Sequence, residues 1–457
     1  AFAVLRSDGS VVTWGSSGSG GNSSEVAQLI SDNVVQIFSS GDGFAALKND
    51  GSVVAWGGNT GDTAQVLPQL ASGVIRIYSA GDAFAALKDD GSVVTWGYPW
   101  RGGDSSSVST QLSSGVIDIV SGGDGFAALK SDGSVVAWGG ASDSSVVGIP
   151  TGLVNVVRIY STNTGAYAAL KADGSVATWG QRSWGGMSTT PFWGSNQTPA
   201  TLLQNGVVRI FSTDWAFAAL KDDGSIFSWG SGIGEGPTVS RSIPGNFVDV
   251  ASTGWAFAGL KEDGSVVTWG YAEDGGDSSS VASMIAGSVA KIFATNGAFA
   301  ALRDDGSVVT WGNTFKGGQI SPLLANATVK DIVATSSAFT ALMADGTVVS
   351  WGTKAWNDST NTLEFFGPDD TSHVGSGITD LFATVGTNYF GAFAALREDG
   401  SVATWGDSQW GGDSSSVASQ LTNVVAFANP FTDDRLVFDA PVPAITLAVS
   451  PASVTED

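Results

Sequence analysis

The chain has 457 residues, a formal net charge of −23, no Cys and a single His, with 42% apolar but only 14% charged residues. Such a composition supplies ample material for a packed core, while the charge repels phosphate backbones and anionic membrane surfaces, so nucleic acid is a poor partner. Disulfides and thiolate metal sites are excluded, His373 alone leaves little imidazole chemistry, and no apolar run is long enough for a membrane helix.

One unit recurs from the first residues onward. The stretch 84–97 reads FAALKDDGSVVTWG, and each copy carries an Asp-Gly followed, six residues after the Asp, by a Trp-Gly. The pairs are Asp8 with Trp14, Asp50 with Trp56, Asp90 with Trp96, Asp132 with Trp138, Asp173 with Trp179, Asp223 with Trp229, Asp263 with Trp269, Asp305 with Trp311, Asp345 with Trp351 and Asp399 with Trp405. The Trp-to-Trp interval is about 40 to 42 residues, except for insertions after Trp179 and Trp351. FAAL and SVVTWG are apolar, β-rich runs joined by hairpin chemistry, with Gly supplying positive φ and Asp bonding its own backbone. A third run of the type VIRIYS (74–79) or VVRIFS (207–212) precedes each FAAL, which predicts a three-stranded antiparallel meander per unit. Three strands cannot bury both faces alone, so neighbouring units must stack. Variable segments follow each Trp-Gly. Their recurrent G-G-D-S-S-S-V predicts a Ser or Asp N-cap and one short helical turn.

An apolar strand, "DG", a strand ending in "WG" and a Gly-rich segment together resemble the repeats of the regulator of chromosome condensation family, over about residues 1–438. The resemblance implies a β-propeller. Departures are plain: the family's usual His is Phe here (Phe84, Phe126, Phe217), its G-Q-L-G turn becomes G-G-D, and ten units replace the usual seven. The nuclear member's nucleotide-exchange and histone contacts have no matching residues. The expected architecture is therefore all-β, a toroidal propeller of ten roughly 42-residue, three-stranded repeats, with an open β-superhelix as the alternative. Residues 423–428 (NVVAFA) lack a following hairpin and 2–5 (FAVL) lack a preceding strand, so the two are expected to pair and close the ring. Residues 439–457 read as a linker and the first strand of a following domain, with ITLAVSPASVTED resembling the start of a Calx-β module of bacterial surface proteins.

Candidate sites divide into three groups. The ten repeat Trp residues are expected to be structural plugs between units, each indole N–H finding a carbonyl. Trp100, Trp184, Trp356 and Trp410 break the repeat and sit on loops, where an indole beside Asp and Ser suits a sugar face; packing over a neighbouring unit is the competing reading. On the third run, one position reads Arg76, Asp118, Arg158, Arg209, Asp249, Lys291 and Asp331 in successive units, and these charges are expected to face one another across blades and help fix their order. Nine of ten units also place Lys or Arg two residues before the hairpin Asp, expected to bridge to it or cover the turn. Asp104, Asp277 and Asp413 are too isolated for a calcium site. No catalytic residue, metal or cofactor is expected.

The functional expectation is a non-enzymatic structural or adhesion segment of a large secreted or cell-surface bacterial protein, continuing into further domains. It would contact saccharide, extracellular matrix or a cell-surface protein, with no nucleic acid and no membrane insertion. The alternative is a protein-binding scaffold propeller.

Overall fold

A computed structural model describes residues 1–58, 66–123, 125–140, 148–181, 185, 203–232, 241–357, 362–367, 370–372, 374–384, 391–408 and 411–427. Ten antiparallel sheets follow one another along the chain, and each is a blade. Their middle strands are Phe2–Arg6 in blade 1, then Gly43–Lys48, Ala83–Lys88, Gly125–Lys130, Ala166–Lys171, Ala216–Lys221, Ala256–Lys261, Ala298–Arg303, Ala338–Met343 and Ala392–Arg397 in blades 2 to 10. In every blade the middle strand pairs on one side with the strand ending in Trp-Gly and on the other with the VIRIYS-type strand. VIRIYS-type strands of successive blades approach one another, so they are innermost.

Middle strands read as continuous apolar runs because both faces are covered. Ala45 packs against blade 3 and Ala46 against blade 1, and their small side chains let the blades approach. Phe, or Tyr167 in blade 5, stands at or next to the start of each middle strand and lies opposite the repeat Trp, with ring centroids 5.1–5.7 Å apart. The position that the family gives to His is thus filled by a stacking partner. Every hairpin Asp accepts the backbone N–H two residues on, for example Asp223 from Ser225 at 2.9 Å, and each hairpin Gly holds φ between +73° and +79°.

The ring closes. Val424–Phe427 pairs antiparallel with Phe2–Arg6, with Val4 opposite Phe427, so blade 1 is built from both ends of the described chain. The ten apolar clusters each span one blade interface, and one of them joins Ala392, Ala394 and Leu396 of blade 10 to Phe2, Val4 and Trp14 of blade 1. An open superhelix would leave that interface unmade, so this alternative is wrong. Strict three-strandedness also needs correction. Blade 6 adds Arg241–Ile243, and the insertion in blade 9 folds back as Thr362–Phe365 on an extended strand Val348–Asn357. In blade 6 the added strand pairs along the free edge of the Trp-Gly strand, and in blade 9 it pairs with residues 353–357, the extension beyond Trp351-Gly352. Residues 428–457, including the expected linker and module strand, lie outside the described residues.

Candidate ligand-binding face

Because the three strands alternate in direction, the Asp-Gly hairpins emerge at one end of the ring. The loops after Trp-Gly and the turns leading into the middle strands emerge at the other. Six of those loops carry Gly-Gly starting five residues after the Trp-Gly glycine. The first of each pair (Gly20, Gly102, Gly185, Gly275, Gly317, Gly411) has φ between +88° and +104° and lies against the aromatic ring at the start of the next middle strand. Its carbonyl accepts the next blade's indole N–H at 3.0–3.2 Å, as in Trp311 to Gly275 and Trp229 to Gly185. In four of these loops the second carbonyl accepts the hydroxyl of its own blade's Thr, as in Thr310 to Gly318. The loop is therefore a clasp between consecutive blades. Trp405, which follows the insertion, donates instead to Ser350 Oγ at 2.8 Å. Trp96, Trp179 and Trp269 bury their N–H with no acceptor among the described residues, and the loops before them lack the Gly pair at that spacing.

The repeat Trp residues are plugs, 5% exposed or less. Trp100 differs: it is 56% exposed and stacks on Tyr98 at 4.8 Å, on a loop where Arg101 pairs with Asp82 at 3.2 Å. Tyr271 is exposed on the equivalent loop of blade 7. Phe315 and Phe365, both exposed, lie 6.0 Å apart beside the blade 9 insertion. Trp356 falls in strand Val348–Asn357 opposite Leu363. Its side chain, like the whole of Trp184 and Trp410, lies outside the described residues. Sequence reasoning missed Trp215 and Trp255, which stack at 4.8 Å between the turns of blades 6 and 7, with Asn163 donating to Asp214 at 2.8 Å nearby. The signal was available: these two units alone place Trp before the middle strand's first Ala.

The GGDSSS carboxylates are spent locally. Asp104, Asp277 and Asp413 each accept the backbone N–H of the residue two on at 2.9 Å, which holds their carboxyls below the usual range. The Ser residues preceding these single-turn 3-10 segments make no side-chain cap, so Asp, rather than Ser, fixes the turn. No metal-holding group of three or more acidic or His residues occurs among the described residues.

Charges on the inner strands meet across blade interfaces. Arg209 of blade 6 pairs with Asp249 of blade 7 at 3.4 Å, and Lys291 of blade 8 with Asp331 of blade 9 at 3.4 Å. Each cation also lies over the aromatic ring two residues on, Phe211 or Phe293. Asp118 is reached through Tyr78, whose hydroxyl donates at 2.8 Å while Arg76 covers its ring, and Arg158 lies over Tyr160. The two direct pairs are about half exposed on their acidic side, so each is worth roughly 0.2–1 kcal/mol and not the several that burial would give. Hairpin cations mostly reach back to the preceding loop, as Lys130 does to the Gln111 carbonyl at 2.8 Å, while Arg6, Lys171 and Arg303 pair with their hairpin Asp.

No protein-family model and no curated protein sequence matches the chain. Among solved structures it is similar to the ectodomain of the Physcomitrella patens receptor kinase CR4 (19% identity, 63% of this chain and 72% of that one, TM-score 0.35). It is also similar to yeast RCC1 (Prp20) bound to Kap60 (18%, 57% and 78%, TM-score 0.36) and to BamB from Moraxella catarrhalis (14%, 70% and 94%, TM-score 0.30). The ten sheets and their closure form the repeat propeller that the motif implied.

Proposed function

We propose that this propeller is a non-enzymatic binding and structural body, an adhesion segment of a secreted or cell-surface protein that contacts saccharide through loop aromatics. The supporting observation is the Tyr98–Trp100 stack: one indole, more than half exposed, is backed by a second ring, with Arg101 of the same loop paired to Asp82 of the neighbouring turn. An indole so backed presents a rigid apolar face to the C–H side of a sugar ring, and charged groups beside it suit hydroxyls. The core repeats closely, whereas the loops do not, and irregular loops on a regular scaffold are where recognition concentrates. The Calx-β-like stretch at 445–457 supports the surface context.

The test is a glycan array and polysaccharide pull-down comparing the parent with Trp100→Ala and with the quadruple alanine variant at Trp100, Trp184, Trp356 and Trp410. Binding lost in both variants supports the reading. Binding that survives the quadruple variant removes these indoles, and no binding by the parent rejects the saccharide reading. A second reading, a protein-binding scaffold, is favoured by a separate surface on the innermost strands.

A further inference from the structure

The second residue of each innermost strand is exposed, and in seven consecutive blades it is Val or Ile: Val425, Val35, Ile75, Ile117, Val157, Val208 and Val248, each 49–56% exposed. Blades 8 to 10 place Ala290, Lys330 and Thr379 there. A β-bulge at this point shifts the register of every inner strand, as between Val74 and Arg76 or, in blade 1, between Val424 and Ala426, and both residues of the bulge are exposed in blade 3. Since inner strands of successive blades approach one another, these side chains form a contiguous aliphatic arc rather than scattered exposures.

The arc has its own charge. All inner strands together carry five cations (Arg76, Arg158, Arg209, Lys291, Lys330) against four carboxylates (Asp118, Asp249, Asp331, Asp380), in a chain with 20 basic and 43 acidic residues. Cations dominate in blades 3 to 6, where Asp118 is engaged by Tyr78. Arg76 and Arg158 have no ion-pair partner among the described residues, each guanidinium lying over a Tyr ring.

We propose that the inner-strand arc of blades 3 to 6 is a docking surface for an acidic polypeptide segment carrying aliphatic side chains. This rests on the scaffold reading and names its partner class. Aliphatic side chains of the segment cover Ile75, Ile117 and Val157, and its carboxylates pair with Arg76 and Arg158. An arc crossing four blades exceeds the reach of a single small anion. Elsewhere the net-negative body repels an acidic segment, which confines it to this basic arc.

The test is fluorescence anisotropy with three labelled peptides of equal length: alternating Glu and Val, alternating Glu and Ser, and alternating Lys and Val. The parent should bind the Glu/Val peptide at least tenfold more tightly than either other peptide. The variant Ile75→Thr, Ile117→Thr, Val157→Thr keeps β-branched residues at exposed positions and should lose at least tenfold. Arg76→Gln with Arg158→Gln should lose at least fivefold, while thermal melts of both variants match the parent. Equal affinity for the Lys/Val peptide would overturn the acidic partner while leaving an apolar scaffold surface. No saturable binding, or binding that neither variant weakens, would overturn the docking surface altogether. Neither result bears on the glycan test, which uses a different end of the blades.

Discussion

A Cβ added to Gly275 would sit 2.6 Å from the Phe299 ring, at a φ of +98° that L residues rarely adopt. Gly275→Ala should therefore cost roughly 2–4 kcal/mol in denaturant unfolding, combining overpacking with backbone strain. Gly18, with nothing within 4 Å, is the control, and Gly18→Ala should stay within about 0.5 kcal/mol. Trp→Phe at Trp311 removes a hydrogen bond to Gly275, whereas at Trp269 the N–H has no acceptor among the described residues. The first substitution should cost about 1 kcal/mol more than the second, and equal costs would contradict the clasp. The plugging role of these Trp residues was legible because the residue recurs at fixed spacing. Their acceptor was not, since it lies in the variable segment of the neighbouring unit, 36 residues upstream for Trp311.

At the level of the hairpin, turn chemistry was read correctly in all ten units, since Asp-Gly fixes its own geometry within four residues. Hydrogen bonds from the Ser or Thr two residues on hold the ten Asp carboxyls, from Asp8 to Asp399, below the usual range. A carboxyl depressed on folding contributes stability that is present above its unfolded pKa of about 4 and is lost as pH falls through the folded value. The melting temperature should hold between pH 7 and 5 and fall below about pH 4, measured by thermal melts. Ser225→Ala with Ser265→Ala should shallow that fall. The inner strand was less legible. Its bulge breaks the period-2 alternation, so its charged position reads as a blade-facing partner, although it is a half-exposed rim.

For the whole molecule, the complementary ends of the repeat register made closure readable, because an unpaired strand at one end matched a missing one at the other. The fourth strands of blades 6 and 9 were not readable. They come from the variable segments after Trp-Gly, whose pairing the repeat motif does not specify. Truncation at residue 423 should leave blade 1 two-stranded with an open inner edge, lower the melting temperature and promote association on size-exclusion chromatography. The most direct measurement of closure uses the absence of native Cys. Val4 and Phe427 are direct partners across blade 1, and such partners carry Cβ atoms about 4.5–5.5 Å apart, near disulfide reach. Mild oxidation of the Val4→Cys, Phe427→Cys variant should give a monomer with altered mobility on a non-reducing denaturing gel, reversed by reductant. Two thiols that stay free in the folded monomer, or that link only between molecules, would contradict the closed ten-bladed ring.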